Sequence, residues 1–297
     1  MNEANKPVRK AIIPVAGLGT RFLPVTRAVP KALLPVLGKP IVHYSVQEAV
    51  EAGIREIVLI LSPGMESVAE YFASQPALEE ALRSRGKQEE LDEQLQISGM
   101  ASVSTLIQHE PRGLGHAVLM ARDFIGDEPF ALFLPDDLIW NDQSAISQLL
   151  AVRERHGGSV IAVKEVPDEE VGSKGIVDAQ QVEDGVFSVR RVVEKPKLAD
   201  APSNLSIIGR YVLEPEVFPY LAEERSGAGG EIQITDAIES TIGKKPLHAC
   251  AFKGFHADAG VPSGMLRAAL FEARKEPELR QVAVEAVQAW ESEGSVK

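Results

Sequence analysis

Residues 12–36, IIPVAGLGTRFLPVTRAVPKALLPV, constrain this chain more than any other part of its sequence. A run of β-branched and small apolar residues ends at Gly17 and Gly19. A threonine and Arg21 follow at once, and Lys31 comes later in the same loop. Glycines let backbone N–H groups approach an oxyanion closely, while Arg and Lys side chains supply positive charge. The order of residues therefore predicts a strand that ends in a phosphate-binding loop.

Two common phosphate-binding motifs do not fit this segment. A dinucleotide fingerprint needs a third glycine where Phe22 stands, and the helix that should begin there meets Pro24. A Walker loop needs Gly-Lys-Ser/Thr after four residues, and the segment contains no such sequence. From the two glycines alone, a plain strand-to-loop turn remains an alternative.

Composition limits the classes of partner. The net charge is −12, with 44% hydrophobic and 25% charged residues, and there is no basic run, which argues against nucleic acid. No segment has the roughly 18 consecutive apolar residues of a membrane span, and the first ten residues lack the apolar core of a signal peptide. We therefore expect a cytoplasmic protein that binds no membrane. Cys250, the single cysteine, is expected to be a buried small apolar residue rather than a nucleophile.

Strand-like runs alternate with helical patterns along the first half of the chain. This alternation predicts an α/β fold, a Rossmann-like, mostly parallel (mixed) β-sheet flanked by helices. The predicted strands are 57–61, 103–108, 130–134, 159–163, 189–193 and 206–212, and the predicted helices are 41–52, 115–124, 146–156 and much of 262–290, with a polar helix-prone stretch over 65–95 that Gly86 interrupts. From residue 177 onward we expect shorter strands and fewer helices. With no repeat or linker, residues 1–297 are predicted to form one domain.

Polar motifs follow several predicted strands, where parallel sheets bind their ligands. In QHEPRGLGHA, the Gln108 amide offers one donor and one acceptor in a plane, which suits the imide edge of a pyrimidine. The backbone at Gly113 and Gly115 could complete that contact. The alternative is a turn and a helix start only, in which His116 packs or caps.

Two adjacent carboxylates, Asp136 and Asp137, follow the apolar run FALFL. One or two carboxylates at a strand end commonly present Mg²⁺ to substrate phosphates. Adjacent residues on an extended segment point in opposite directions, so only one should face the site. Alternatively, the pair caps the turn. Asp258, in FHADAG, is a candidate second ligand.

The motif VVEKPK provides a third polar group at a strand end. Glu194 could accept hydrogen bonds from sugar hydroxyls while Lys195 contacts a phosphate, and Pro196 stops the strand. The alternative is a solvated pair of opposite charges at the end of a strand.

Eight motifs occur in one order between about residues 8 and 275: GLGTR, LPVTR, PKALLP, GLGHA, LPDD, EKPK, APSNLSIIGRY and GGEIQITDA. Together they resemble the sugar-nucleotide pyrophosphorylases. The resemblance implies a single nucleotidyltransferase domain with the nucleotide-diphospho-sugar transferase (GT-A-like) fold. It divides the chain into a nucleotide-binding part (about 8–160), a sugar-phosphate-binding part (about 161–265) and C-terminal helices (about 262–297).

The resemblance also implies a reaction, in which UTP and glucose 1-phosphate give UDP-glucose and pyrophosphate with Mg²⁺ as cofactor, and a homo-oligomer (dimer or tetramer). It implies these contacts: Ala16 and Gly17 under the nucleoside; Gly19, Thr20 and Arg21 at the nucleotide's phosphates; Lys31 at the α-phosphate and leaving pyrophosphate; Gln108 and Gly113 at uracil; Asp136 and Asp258 at Mg²⁺; Glu194, Gly175 and Gly209 at glucose; Lys195 at the sugar phosphate. A phosphate monoester with a second pKa of about 6 is largely dianionic at pH 7, so its attack needs no general base. Arg21, Lys31, Lys195 and Mg²⁺ would instead offset the repulsion between two anions.

Three departures from the family pattern leave the specificity open. Ala32 stands where the family has an acid that helps read the base. Residues 172–175, GSKG, lack the family's tyrosine, and residues 256–265 lack both of its basic residues. Two alternatives follow, namely a weakly active regulatory paralogue, or an enzyme for another sugar phosphate or for dTTP.

Overall fold

The computed structural model describes residues 6–223, 225 and 227–292 as thirteen strands, twelve α-helices and short 3₁₀ turns. The strands are β1 (Lys10–Pro14), β2 (Pro35–Val36), β3 (Lys39–Pro40), β4 (Glu56–Leu61), β5 (Ser102–Ile107), β6 (Phe130–Phe133), β7 (Asp137–Trp140), β8 (Ser159–Glu165), β9 (Gly175–Glu183), β10 (Val186–Glu194), β11 (Leu205–Leu213), β12 (Leu247–Ala251) and β13 (Phe255–Asp258). The helices are α1 (Ile41–Glu51), α2 (Ser67–Glu70), α3 (Pro76–Ser84), α4 (Gln88–Gly99), α5 (Leu114–Met120), α6 (Arg122–Ile125), α7 (Ala145–His156), α8 (Asp168–Val171), α9 (Val217–Leu221), α10 (Ile234–Thr241), α11 (Pro262–Ala273) and α12 (Pro277–Ser292).

Nine strands form one mixed sheet in the order β5-β4-β1-β6-β11-β8-β12-β10-β9. Strands β5, β4, β1 and β6 are parallel to one another. Strand β11 runs antiparallel to both β6 and β8, and β10 runs antiparallel to both β12 and β9. This arrangement confirms the predicted α/β fold with a mixed sheet, whose parallel half comes from the first part of the chain.

The central strands of the sheet are buried on both faces. Along β1, Ile12 packs into one hydrophobic cluster and Ile13 into another, because successive side chains of a strand point to opposite faces. Residues of α5, α9 and α10 cover the first face, and residues of α1 and α7 cover the second. Cys250 is buried as expected, and burial raises the pKa of its thiol to about 11.

The expectation of shorter strands after residue 177 is wrong. Strands β9, β10 and β11 each have nine residues. In β10 the predicted strand 189–193 already contains the exposed Arg190 and Arg191, and the strand that forms begins earlier, at Val186, where it pairs with β9 and β12. An antiparallel strand can expose one face to water without losing its ladder, whereas a parallel strand is usually buried on both sides. Strands β9, β12 and β13 and the short strands β2, β3 and β7 were not predicted.

The predicted helices lie where the structure has helices, and some of them are divided into two. Gly86, at φ 68°, separates α3 from α4, as predicted. The predicted helix 115–124 is two short helices, α5 and α6. The C-terminal helical part is α11 and α12, and its last five residues, 293–297, lie outside the described residues. Over the described part of the chain, no helix combines the length and apolarity that crossing a bilayer requires.

Candidate active site

The glycine loop begins where β1 ends and is fixed to the neighbouring strand β4. Val15 N–H donates to the carbonyl of Ile60 (2.8 Å), which extends the parallel ladder by one residue. The Ser62 hydroxyl then donates to the carbonyl of Ala16 (2.9 Å). These two bonds hold the loop at the carboxyl edge of the sheet, where the sequence places its phosphate-binding motif.

Gly19 brings the glycine loop into contact with Lys31. Its φ of 63° is in the left-handed region, and a Cβ there would lie 2.9 Å from Lys31 Cβ and 2.9 Å from Thr26 Cγ2. The Thr26 hydroxyl donates to the Gly19 carbonyl (2.9 Å). Both conformation and space therefore require glycine. Thr20 and Arg21 lie on the exposed 3₁₀ turn that follows, outside the residues that line the adjacent cavity.

A cavity of about 340 Å³ opens beside this loop. Six of the predicted nucleotide and metal residues line it, namely Ala16, Gly17, Lys31, Gln108, Gly113 and Asp136. Ala32 and Glu231 also contribute to its wall. The structure thus gathers residues from five of the sequence motifs, GLGTR, PKALLP, GLGHA, LPDD and GGEIQITDA, around one concave surface.

Gln108 is buried at the wall of this cavity and is oriented by the protein. Its Nε2 donates to His116 Nδ1 (2.8 Å) and contacts the Gly113 carbonyl (3.3 Å). His116, which we expected to pack or cap, therefore orients the Gln108 amide. Because the nitrogen is engaged within the protein, the amide oxygen is the atom that can face a ligand.

Asp136 and Asp258 converge at one point of the site. A Cβ on Gly260 would lie 2.6 Å from Asp136 Oδ2 and 2.8 Å from Asp258 Oδ1, so the missing side chain leaves room between them. The Gly260 N–H donates to Asp258 Oδ1 (2.9 Å), and Lys31 Nζ lies 2.7 Å from Asp136 Oδ2. Burial, then the nearby charges of Asp137 and Asp136, raise the pKa of Asp258.

This donor set fits a hard divalent cation. Within the described residues, no three His, Cys, Asp or Glu side chains converge to form a closed metal site. Mg²⁺ does not need one, because it is commonly held by one or two carboxylates and completed by substrate phosphates and water. The two converging carboxylates, with space left by a glycine, match that pattern.

Asp137 has different hydrogen-bond partners from the adjacent Asp136. Its carboxylate contacts His256 Nε2 through Oδ1 (2.6 Å) and accepts the Gly209 N–H through Oδ2 (3.0 Å). Burial alone would raise its pKa, but the His256 hydrogen bond and the charges of His256 and Arg210 lower it. Asp137 is therefore held ionised by the protein, while Asp136 lines the cavity.

Gly209 is required for close packing. A Cβ there would lie 2.5 Å from Leu134 Cβ and 2.6 Å from Asp137 Oδ2. Its N–H is bonded to Asp137, and its carbonyl accepts from Leu134 N (2.9 Å) and Arg210 Nη1 (2.9 Å). Its approach to the sugar stays a prediction, and it would be a close packing contact, since the N–H and the carbonyl already have partners in the protein.

The predicted sugar side of the site is built where β9 begins and β10 ends. Glu194 pairs with Gly175 across these antiparallel strands. Glu194 Oε2 accepts from the Thr235 hydroxyl (2.9 Å), and its Oε1 lies 3.4 Å from Lys195 Nζ. Lys195 has a left-handed backbone (φ 47°), and its N–H donates to the Lys174 carbonyl (2.9 Å). A non-glycine residue in this conformation is strained, which is a feature of functional sites.

Two residues of the site were not identified from the sequence. Thr235 lies in GGEIQITDA, and the spacing of that motif does not indicate a role for the Thr235 hydroxyl. His256 stands where the family has a basic residue, and it binds Asp137 instead of solvent. The motif spacing was the only available signal, because both contacts join residues far apart in the chain.

The fold and the grouping of these side chains at the carboxyl edge of the sheet are those of a nucleotidyltransferase. The chain belongs to the nucleotidyl transferase family, whose model matches residues 10–275. This confirms the family resemblance predicted from the motifs.

Within that family, the chain is similar to UTP–glucose-1-phosphate uridylyltransferases. It is 45% identical over 276 residues to the Staphylococcus epidermidis (strain RP62A) protein of that name, covering 93% of this chain and 96% of that one. A UDP-glucose pyrophosphorylase solved in complex with UDP-glucose matches with a TM-score of 0.82 and 37% identity, over 91% of this chain and all of the other. A UTP-bound enzyme of this kind from Acinetobacter baumannii matches with a TM-score of 0.86 and 36% identity, over 95% and 99% of the two chains.

Proposed function

We propose that this protein transfers a uridylyl group from UTP to glucose 1-phosphate, forming UDP-glucose and pyrophosphate. One observation carries the proposal: contacts link the nucleotide cavity to the predicted sugar side. Asp136 lines the cavity and converges with Asp258. Lys174 and Asp258 line one cavity, and the Lys174 carbonyl accepts the N–H of Lys195. The relatives that match over most of the chain carry the same activity in their names.

The cavity would hold the nucleotide. Ala16 and Gly17 lie under the nucleoside, and the Gln108 oxygen with the Gly113 backbone reads the imide edge of uracil. The open turn with Gly19, Thr20 and Arg21 binds the phosphates. The exposure of this turn supports that assignment, since a triphosphate is a highly charged group that remains close to water.

Asp136 and Asp258 would hold the metal ion. Enzymes of this family generally use a divalent metal, and we assign Mg²⁺ here from the two converging carboxylates. When bound, the ion supplies positive charge at the phosphates. Lys31, now paired with Asp136, would contact the α-phosphate and the leaving pyrophosphate.

Glucose 1-phosphate would bind at the end of β10. Glu194 accepts from the sugar hydroxyls, with Gly175 and Gly209 approaching the sugar, and Lys195 contacts its phosphate. The room that Gly175 leaves supports this, because a Cβ there would lie 3.2 Å from Glu194 Oε2.

The reaction needs no general base. A phosphate oxygen of glucose 1-phosphate attacks the α-phosphorus of UTP in line, the bond from that phosphorus to the bridging oxygen breaks, and pyrophosphate leaves. The attacking phosphate is already largely dianionic at neutral pH. Catalysis therefore rests on placing two anions together with positive charge around them, supplied by Arg21, Lys31 and Lys195.

A different base preference is the second candidate. Ala32 lines the nucleotide cavity and is buried there, so this chain has a methyl group where the family has a base-reading acid. An enzyme that uses dTTP, or a different sugar phosphate, would have the same phosphate and metal contacts. A weakly active regulatory paralogue is the third candidate, because the motif around Asp258 lacks the family's two basic residues.

One assay separates these candidates. Pyrophosphate release is measured with a panel of nucleoside triphosphates and sugar 1-phosphates in the presence of Mg²⁺, and the sugar nucleotide is identified. We expect the highest kcat/KM with UTP and glucose 1-phosphate, and the reverse reaction from UDP-glucose and pyrophosphate. A preference for dTTP would reassign the base, and a folded protein with no turnover would favour the regulatory paralogue. The homo-oligomeric state and the cytoplasmic location are further parts of this proposal.

A further inference from the structure

The segment 231–235 connects the two binding regions of the proposed site. Ile232 N–H donates to the carbonyl of Arg112 (2.8 Å), and the Ile232 carbonyl accepts from Gly115 N–H (2.8 Å). This pairing fixes the segment against the loop that follows Gln108. Helix α10 begins two residues later, and Thr235 lies in its first turn. The position of the Thr235 backbone therefore depends on the nucleotide side of the site.

Thr235 is fixed by contacts on both branches of its side chain. It is only 4% exposed, and its hydroxyl donates to Glu194 Oε2 (2.9 Å). Its methyl carbon would be 3.0 Å from a Cβ on Gly175, so it packs closely over that glycine. A helical threonine often turns its hydroxyl to a carbonyl of the preceding turn. Here the hydroxyl contacts a charged side chain on another element instead.

Glu194 depends on this donor for its orientation. Its side chain is 13% exposed, and its carboxylate also contacts Lys195 Nζ, at the longer distance of 3.4 Å. Asp236 lies near enough that burial and the Glu194 charge raise the pKa of its carboxyl. Without the threonine hydroxyl, Lys195 still attracts Glu194, while Asp236 repels it. The carboxylate would then turn toward the lysine that the sugar phosphate needs.

We infer that Thr235 is a positioning residue for sugar recognition. Its hydroxyl holds Glu194 so that the carboxylate faces the sugar hydroxyls and leaves Lys195 free for the phosphate. The inference rests on the proposed function, and it gives the motif GGEIQITDA a role that spacing alone did not provide. Thr235 does not touch the substrate in this assignment.

The test compares three variants. Thr235→Val keeps the shape and removes the donor, Thr235→Ser restores the donor, and Thr241→Val is the control. Thr241 lies in the same helix, and its hydroxyl donates to the Ile238 carbonyl, away from Glu194. KM for each substrate and kcat are measured, together with binding of UDP-glucose and of UDP by calorimetry.

We expect Thr235→Val to raise KM for glucose 1-phosphate and Kd for UDP-glucose by about tenfold or more, the size of a lost hydrogen bond to a charged group. KM for UTP and Kd for UDP should stay within about twofold of the wild-type values, because the substitution removes no contact to the nucleotide. Thr235→Ser should recover most of the loss, and Thr241→Val should match the wild type. A merely structural role would affect the two ligands alike and would not be rescued by serine.

Two results would overturn the inference. One is a Thr235→Val variant with the KM and Kd values of the wild type, and the other is an equal rise in KM for UTP and for glucose 1-phosphate. If Thr235→Val does not fold, as judged by circular dichroism, Thr235→Ala and Thr235→Ser are compared by the same criteria. A wild-type protein that neither turns over nor binds UDP-glucose more tightly than UDP contradicts the proposed function, and the inference with it. Turnover by the wild type with an unchanged Thr235→Val contradicts the inference alone.

Discussion

Lys31 Nζ lies 2.7 Å from Asp136 Oδ2, the oxygen that converges with Asp258. The lysine ammonium thus contacts the atom that a metal ion would need. Both side chains are partly open to solvent, at 21% and 27% exposure, so substrate phosphates can reach the lysine. A nucleotide that draws Lys31 to its phosphates would free Asp136 for a cation. Nucleotide and metal are therefore expected to favour each other's binding.

The first prediction concerns metal binding without nucleotide. Lys31→Met should bind Mn²⁺ more tightly than the wild type by about fivefold, the equivalent of an exposed ion pair worth ~1 kcal/mol. Mn²⁺ binding is measured by paramagnetic resonance of the free ion. Arg21→Met is the control, since it removes one positive charge from the same loop without breaking a contact to Asp136. Equal affinities in the two variants would mean that Lys31 does not compete with the metal.

The second prediction separates the adjacent carboxylates. Asp136→Asn should keep the fold and lower kcat by about two orders of magnitude or more, as expected for losing an electrostatic contact of roughly 3 kcal/mol in the transition state. Asp137→Asn should affect kcat less and stability more, because Asp137 is bonded to His256 and to the Gly209 amide. Steady-state kinetics and urea unfolding of both variants give the comparison. A larger loss of kcat in Asp137→Asn would show that the wrong carboxylate is assigned to the metal.

The third prediction assigns Lys195 to the sugar phosphate. Lys195→Ala should weaken glucose 1-phosphate binding and turnover by about 10- to 100-fold, because a charge-assisted contact is worth roughly 1.5 to 3 kcal/mol. Alanine has a Cβ as lysine does, so the substitution adds no new steric demand at this left-handed backbone. UTP binding, titrated without sugar, should stay nearly constant. Lys197→Ala, which removes an exposed charge two residues away, is the control. A loss confined to UTP would mean that Lys31 and Lys195 have exchanged roles.

The fourth prediction concerns pH and His43. Burial, with a smaller contribution from Lys39, lowers the pKa of His43 to about 4, and its Nδ1 lies 2.9 Å from the Tyr71 hydroxyl. The unfolded chain takes up this proton near pH 6.5, whereas the folded protein does so near pH 4. The contribution of neutral His43 to the free energy of unfolding is therefore fully present above pH 6.5, and it is lost as the pH falls toward 4.

Between pH 7 and pH 5 the loss should be about 2 kcal/mol in the free energy of unfolding. Other groups also titrate in this range, so the measurement is the difference between the wild type and His43→Gln, which cannot take up the proton. Urea unfolding of both proteins at several pH values provides it. Identical pH dependence in the two proteins would show that His43 is not held neutral by the fold.

The sequence by itself determined the parallel half of the sheet and the family of the site. Apolar runs such as 57–61 and 130–134 are buried on both faces, so their composition indicates strands directly. The motifs that follow these strands meet because the carboxyl ends of parallel strands share one edge of the sheet. For this reason the sequence alone predicts that Lys31, Gln108 and Asp136 lie close together.

Only the tertiary structure decided which partner each polar group has. The antiparallel strand β9 was missed because its exposed polar residues hide the pattern, and its pairing depends on β10 and β11. The sequence shows Asp136 and Asp137 as equals, yet one contacts Lys31 and the other contacts His256. Likewise, nothing local in GGEIQITDA indicates that Thr235 binds Glu194. Sequence pattern reports local conformation and burial, whereas hydrogen-bond partners far apart in the chain are fixed only when the elements pack together.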